Sequence, residues 1–352
     1  MMPLAGQRIL LIGIGFYDYE TAIADAFRAL GAEVRVENEQ PPAMRGRLAP
    51  LRRRLGRDMA EALDRHRAAM LARARTGGAL DHVVVIKGTL LDAPFLHALR
   101  EAQPGARLTA YHWDSMARFP ELRLRQALFD RVLTFDHADA ARDPQFILRP
   151  LFYRPELDRH RSAAGTIDLS FVGWLHHDRL RQVETIRDQA RALGLTTSLY
   201  LTTGSWTRLK LRLAGRGRDV HARPQGFGPY VATTAASCAI LDLPHPEQTG
   251  LTMRAIETVG VGRKLITTAA DVGAYDFYRP ENIRILDPRD LRIDPVFLRT
   301  SPAPVPPEIV ERYSLRAWAL DVLGVTTPAA FLRRPPAPAA DRAALSAVGL
   351  SG

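Results

Sequence analysis

The stretch CAILDLPHPEQTGLTMRAIETVGVGRKLITT, residues 238–268, reads as strand, loop, helix, strand. Its apolar run 238–243 is followed by the breakers Pro244 and Pro246. The helix is expected to open around Thr249 and Gly250 and to close at residues 260–262. That order sets a helix N-terminus at the carboxyl end of a buried strand, where open α/β sheets collect ligands and free amides favour phosphate. Glu257 is the odd residue of this helix. At about 100° per residue it falls on the side of the apolar stripe Met253, Ile256 and Gly260, and a carboxylate there needs hydrogen bonds. Two readings stand: a core-edge acid satisfied by backbone or by Arg263, or an acceptor for ligand hydroxyls such as those of a ribose.

Outward from this stretch, the first half alternates apolar runs at 8–14, 33–36, 81–86, 107–113 and 131–135 with helical patterns at 20–30, 45–75 and 91–102. A second alternation runs through strands at 167–172 and 197–201 and helices at 178–193 and 205–213. Strands alternating with helices of this length imply mostly parallel sheets covered on both faces. The expected architecture is α/β, with two doubly wound Rossmann-like domains facing a cleft. The expected boundaries are residues 1–154 for the first domain, a linker at 155–166 containing DRHRSAAG, 167–326 for the second, and a low-complexity tail at 327–352. One helix over 307–323, carrying Tyr313 and Trp318, is expected near the end.

At 352 residues and 46% hydrophobic the chain is long enough for two such domains. Cys238 is the single cysteine, which excludes an internal disulfide and fits a reducing compartment. The opening MMPLAGQRILLIGIGF has no charged leader, and its apolar segment is too short to span a bilayer. It is expected to be the first strand of a cytoplasmic protein. The net charge of +10 is almost all arginine, with only Lys87, Lys210 and Lys264 as lysines. The arginine-rich stretch that opens on Arg45 and closes on Arg75 reads either as a solvated helix face or as a contact for anionic lipid head groups at the inner membrane face, or for an anionic acceptor. No aromatic residues interleave with these arginines, and no zinc, helix-turn-helix or RNA-recognition signature occurs, so nucleic acid is not expected as a partner.

Several strand ends carry candidate chemistry. In Gly13-Ile14-Gly15-Phe16-Tyr17-Asp18, Asp18 replaces the third glycine of a dinucleotide fingerprint and sets a negative charge where a pyrophosphate would lie. A nicotinamide or flavin site is therefore rejected, leaving Gly13 and Gly15 as a tight turn at the crevice. Lys87, after four apolar residues, would pair with an acid or bind an anionic substrate. Asp114, in YHWDS, would cap a helix or act as a catalytic carboxylate. In FVGWLHHDR, neighbouring helical residues point apart, so His176, His177 and Asp178 are not expected to hold a metal. Arg179 would reach a diphosphate at the Thr249-Gly250 turn or form a surface salt bridge. His245 and Gln248 would touch a sugar or phosphate, or hold their own loop. No nucleophile elbow, Walker loop or Cys/His pairing is present.

Together FVGWLHHDR and HPEQTGLTMRAIETVGVGRKLITT, with YHWDS, FDRVLTFD, LRPLFY and AYDFYRPENI, resemble GT-B-fold glycosyltransferases of the bacterial lipopolysaccharide and capsule type. They are similar in particular to the spore-maturation-protein-like group, over most of residues 7–325. QTGLTMRAIE is the most specific part. Related retaining enzymes carry two glutamates separated by seven residues, the second contacting the ribose of a nucleotide sugar. Glu257 matches the second position, and Thr249 stands at the first. Relatives also carry a basic pair after the glycine of the FVG strand, here Gly173; Arg179 matches the later residue, and Trp174 stands at the earlier. The resemblance implies metal-independent transfer from a nucleotide-diphosphate sugar to a glycan or lipid-linked acceptor, with no bound cofactor. The leaving diphosphate would be neutralised by the amides of Thr249, Gly250 and Leu251, the helix dipole and Arg179. Gly15, Lys87 and Asp114 would line the acceptor side, with Asp114 as base if the enzyme inverts. A nucleotide-sugar epimerase and a non-catalytic binding protein are the alternatives.

Overall fold

The computed structural model describes residues 2–15, 18–45, 59–161, 165–176, 178–245 and 248–333. Much of the expected tail, residues 46–58 of the arginine-rich stretch, 162–164 of the expected linker, and His177 lie outside the described residues. The chain divides into two compact units. One is Met1–Pro150 with Leu315–Ala329, and the other is Leu151–Ser314 with a short segment from Ala330.

In the first unit six parallel strands, β1 (Arg8–Gly13), β2 (Glu33–Asn38), β3 (His82–Ile86), β4 (Arg107–His112), β5 (Arg131–Thr134) and β6 (Phe146–Leu148), pair in the order β2-β1-β3-β4-β5-β6. ILLI in β1 and VVVI in β3 are continuous apolar runs because both faces of a parallel sheet are covered. The helix Tyr19–Ala29 buries Ile23, Ala24 and Phe27. The helix Ala93–Ala102 buries Phe95, Leu96 and Leu99 behind an Asp92 cap. The described part of the arginine-rich stretch forms the helix Met59–Thr76. Within it Arg73 pairs with Glu37 at 2.6 Å and Arg67 bonds the Leu90 carbonyl, so part of that charge is turned onto the unit itself.

Where the sequence division carries the second domain to residue 326, the structure gives Leu315–Leu323 to the first unit. Trp318 is fully buried, with its ring edge-on to Tyr111 at 4.8 Å, and the buried Arg149 pairs with Asp321 at 2.8 Å. The single helix expected over 307–323 is accordingly two, Pro307–Arg312 and Leu315–Leu323, broken where the chain passes from one unit to the other.

The second unit's strands are β7 (Ile167–Trp174), β8 (Thr197–Thr202), β9 (Val220–His221), β10 (Ser237–Asp242), β11 (Lys264–Thr267) and β12 (Ile283–Ile285). They pair in parallel as β12-β11-β10-β7-β8-β9. Read from β9, the unit's own strand order is 3-2-1-4-5-6, the Rossmann order, and its switch point lies between β7 and β10. Residues 238–268 therefore become most of β10, a loop, the helix Met253–Val261 and β11. The helix starts at Met253 rather than at Thr249 and Gly250 because Thr252 is its cap, its hydroxyl accepting the Ala255 amide at 3.2 Å. It ends on Gly262, whose φ of +67° is the left-handed conformation that favours glycine after a last helical turn. Leu169, Phe171, Val183, Ile186, Leu201 and Leu241 pack together beneath the sheet. The expected linker begins as a short helix, Pro155–Asp158, with Leu157 buried.

Candidate functional site

The switch point of the second unit brings the two sequence motifs together, since β7 ends in FVGW and the adjacent β10 ends at Asp242. Arg179 opens the helix Arg179–Ala192 and closes this junction: it donates to the Trp174 carbonyl at 2.7 Å and to the Leu243 carbonyl, clasping both strand-end loops. Burial, followed by the nearby Arg254 charge, pushes its pKa down to about 10. The surface salt bridge weighed for Arg179 is thus replaced by main-chain bonds. Arg254, in the first turn of the helix Met253–Val261, donates to Asp242 Oδ1 at 2.6 Å and to the Val172 carbonyl. Gly173 lets it approach; a Cβ there would stand 3.1 Å from Arg254 Nη2. Asp242, with none of its surface exposed, also accepts from Thr252 at 2.9 Å and Thr267 at 3.2 Å. Arg254 is thus the cation paired with Asp242, and Arg179 adds a second guanidinium held by main-chain carbonyls at the same junction.

The remaining donor-side candidates lie around this junction. His176 is exposed and its carbonyl accepts the Arg179 amide. His245 and Gln248 hold their own loop: the His245 carbonyl accepts the Gln248 amide, and Gln248 Nε2 donates to the Gly250 carbonyl at 2.8 Å. Thr249 and Gly250 stay in the loop, and Leu251 is buried. Glu257 lies one helical turn beyond Arg254 and is 1% exposed. Its partner is not Arg263, which bonds the Ala235 carbonyl, but Tyr230 of the helix Phe227–Ala236, whose hydroxyl donates to Oε2. Oε1 is buried with no hydrogen-bond partner among the described residues. Burial raises this carboxyl to about 7, against the opposing Tyr230 hydrogen bond and the charges of Arg254 and Arg154.

Sequence reading missed Asp242, Arg254 and Tyr230. The only signals were an acid inside the apolar CAILDL and an arginine in a helix's first turn.

In the first unit the switch point lies between β1 and β3, where Gly15 and Lys87 sit. The Ile14 and Gly15 amides that would cradle a phosphate both donate to Glu20 Oε1 at 3.0 Å. The acid that meets the amides of this turn is Glu20, two residues beyond the Asp18 expected from the sequence. Gly13 faces the same side chain, since a Cβ there would meet Glu20 Cγ at 2.4 Å. Gly15 has φ +71° and would set a Cβ 2.4 Å from Asn38 Nδ2. Gly15→Ala is therefore expected to destabilise the first unit by about 1–2 kcal/mol, read as a lower urea midpoint.

Lys87 has φ +69° and is the only non-glycine in the left-handed region among the described residues. Its ammonium pairs with Asp114 at 2.8 Å and lies 4.3 Å from the Phe119 ring centre, while Arg118 takes the other Asp114 oxygen at 2.9 Å. The structure thus joins the two acceptor-side candidates, with both Asp114 oxygens engaged by cations. Nearby, the buried Glu39 accepts from Thr89 at 3.0 Å, and burial raises its carboxyl to about 7. His112 is buried, neither ring nitrogen has a hydrogen-bond partner among the described residues, and burial, with the Arg125 charge, pushes it down to about 4. Neither Glu39 nor His112 stood out in the sequence.

Two doubly wound units of this topology define the GT-B fold class. No protein-family model matches the sequence, and no curated protein does. Among solved structures the fold is similar to a glycosyltransferase from Rickettsia africae, with TM-score 0.52 at 8% identity over 91% of this chain and 99% of that one. It is also similar to a protein from Listeria monocytogenes assigned as a UDP-N-acetylglucosamine 2-epimerase, with TM-score 0.51 at 13% identity over 91% of this chain and 95% of that one. Among the described residues no helix is long and apolar enough to cross a membrane.

Proposed function

We propose that this chain is a glycosyltransferase that binds a nucleotide-diphosphate sugar at the second unit's switch point and passes the sugar to a glycan or lipid-linked acceptor. The carrying observation is the convergence of two guanidinium groups where β7 and β10 end: Arg179, held by the Trp174 and Leu243 carbonyls, and Arg254, paired with Asp242 at the start of the helix Met253–Val261. As the bond from the sugar's anomeric carbon to the diphosphate breaks, charge develops on the leaving group, and these cations with the helix dipole stabilise it without a metal ion. Glu257, with Oε1 unbonded, accepts from the ribose hydroxyls. Gly173, His176, His245, Gln248 and the turn Thr249-Gly250-Leu251 frame the donor. On the acceptor side stand Gly13, Gly15, Lys87 and Asp114, with Asp114 taking the acceptor proton if transfer inverts. The motif resemblance supports a role in lipopolysaccharide or capsule assembly, in the cytoplasm.

A thermal-shift series with UDP, GDP, ADP, CDP and their sugars tests this reading. A ligand at about a hundred times its Kd stabilises the protein by roughly 2.7 kcal/mol, which shifts a unit of this size by several degrees. Silence across the whole series contradicts donor binding and supports a non-catalytic role. The Listeria neighbour favours one further reading, sugar epimerisation. NMR of enzyme with donor alone separates the two, because an epimerase converts the donor without any acceptor.

A further inference from the structure

The helix Ser205–Leu213, SWTRLKLRL, has no buried residue, and Trp206, Leu209 and Leu213 are 68%, 46% and 81% exposed. Scattered apolar side chains on a surface need no explanation, but these are spaced three and four apart and fall on one side of the helix. Its rotation is fixed from behind. Leu211 packs against the second unit's core, and Arg208 donates to the Val220 carbonyl at 3.1 Å. At about 100° per residue, Lys210 borders the exposed stripe on one edge and Arg212 on the other. Lys210 also lies 5.5 Å from the Trp206 ring centre.

The charge around the stripe has one sign. From Thr203 to Arg218 the chain has Arg208, Lys210, Arg212, Arg216 and Arg218 and no acid. Arg216 is neutralised by Glu184 at 2.6 Å and Arg208 is turned inward, so Lys210, Arg212 and Arg218 remain directed outward with no ion pair among the described residues. A narrow apolar stripe with a tryptophan, edged by cations, is the pattern of a helix lying in a membrane interface. Protein interfaces, by contrast, deplete lysine at their centres.

We propose that the helix Ser205–Leu213 is an interfacial membrane anchor that docks the second unit on an anionic lipid surface. Trp206, Leu209 and Leu213 enter at the head-group level, and Lys210 and Arg212 contact lipid phosphates. The proposal does not depend on the donor-site assignment.

The test is co-sedimentation of the full chain with phosphatidylcholine vesicles, with and without about 30 mol% phosphatidylglycerol. The chain should partition onto the anionic vesicles, with a blue shift in tryptophan emission that Trp206→Phe removes. Trp206→Ser/Leu209→Ser/Leu213→Ser should weaken partitioning at least about tenfold, since interfacial binding scales with the apolar area inserted. Its melting temperature should stay unchanged, because all three side chains are exposed. Lys210→Glu/Arg212→Glu should give a comparable loss. Three outcomes overturn the proposal: no binding by the parent chain, undiminished binding by the triple serine variant, or a parent dimer in light scattering that the triple variant converts to monomer, which would make a second copy the occupant.

Discussion

Arg254→Met is expected to lower the stability of the second unit by about 3–5 kcal/mol, the range for breaking a buried ion pair from one side. Asp242 has no exposed surface, and Arg254 is the cation bonded to it; the Thr252 and Thr267 hydroxyls alone would then face a buried charge. The same substitution removes the donor to the Val172 carbonyl, so the ends of β7 and β10 lose a direct tie. Asp242→Asn combined with Arg254→Met should recover much of the loss, because removing both charges leaves no uncompensated ion. Urea unfolding followed by tryptophan fluorescence reads the effect in the second unit's transition. A loss below about 1 kcal/mol, or no recovery in the double variant, contradicts the ion-pair account. Under the proposed function Arg254→Met also abolishes the nucleoside-diphosphate thermal shift.

Glu257→Gln should have opposite consequences for stability and for binding. Its carboxyl titrates near 7 in the folded protein against a reference of 4.5, so the folded state holds the proton more tightly. For a raised pKa the stabilising contribution is complete below the unfolded value and is lost as pH rises through the folded one, here between about pH 4.5 and 7. The total is at most of the order of 3 kcal/mol. Glutamine keeps an oxygen for the Tyr230 hydroxyl and carries no proton to lose. The variant's second unit should therefore be flatter in stability between pH 5 and 8, and more stable than the parent at pH 8. Nucleotide-sugar affinity should fall tenfold or more, since the amide nitrogen that takes the place of the unbonded Oε1 donates and cannot accept from a ribose hydroxyl. Calorimetry with a ribonucleotide and its 2′,3′-dideoxy counterpart isolates the contact. The parent should discriminate between them and Glu257→Gln should not; equal discrimination by both proteins contradicts the ribose assignment.

The strands were legible because parallel sheets covered on both faces write themselves as unbroken apolar runs, as in VVVI of β3, and the turns between them as glycine and proline. Glu257 is legible as a misfit, an acid on a buried stripe, and Arg179 is legible from its place after a strand end and from the relatives' basic pair. Asp242 was hidden inside an apolar run because its meaning depends on Arg254, twelve residues later and across a loop. Tyr230 belongs to another helix altogether, and no spacing pointed to it. The helix starts at Met253 rather than near Thr249 because the Thr252 hydroxyl both donates to Asp242 and accepts the Ala255 amide, a pairing that depends on a strand ten residues earlier. Lys87 stands out in the sequence after four apolar residues, but its left-handed backbone and its pairing with Asp114 are set by tertiary structure.

The return of Leu315–Leu323 to the first unit bears on how this protein can be taken apart. A gene fragment ending at residue 150 would encode every strand of the first sheet, yet it would bare the face of Tyr111 that Trp318 covers and leave the buried Arg149 without Asp321. A fragment beginning at residue 151 would carry that helix away from its seat. A first unit prepared in isolation needs residues 315–329 spliced back, by a short bridging peptide or a circular permutation, whereas the second can be excised by cutting at Ser314 and supplying the strand-like segment around Phe331, which packs on Tyr313.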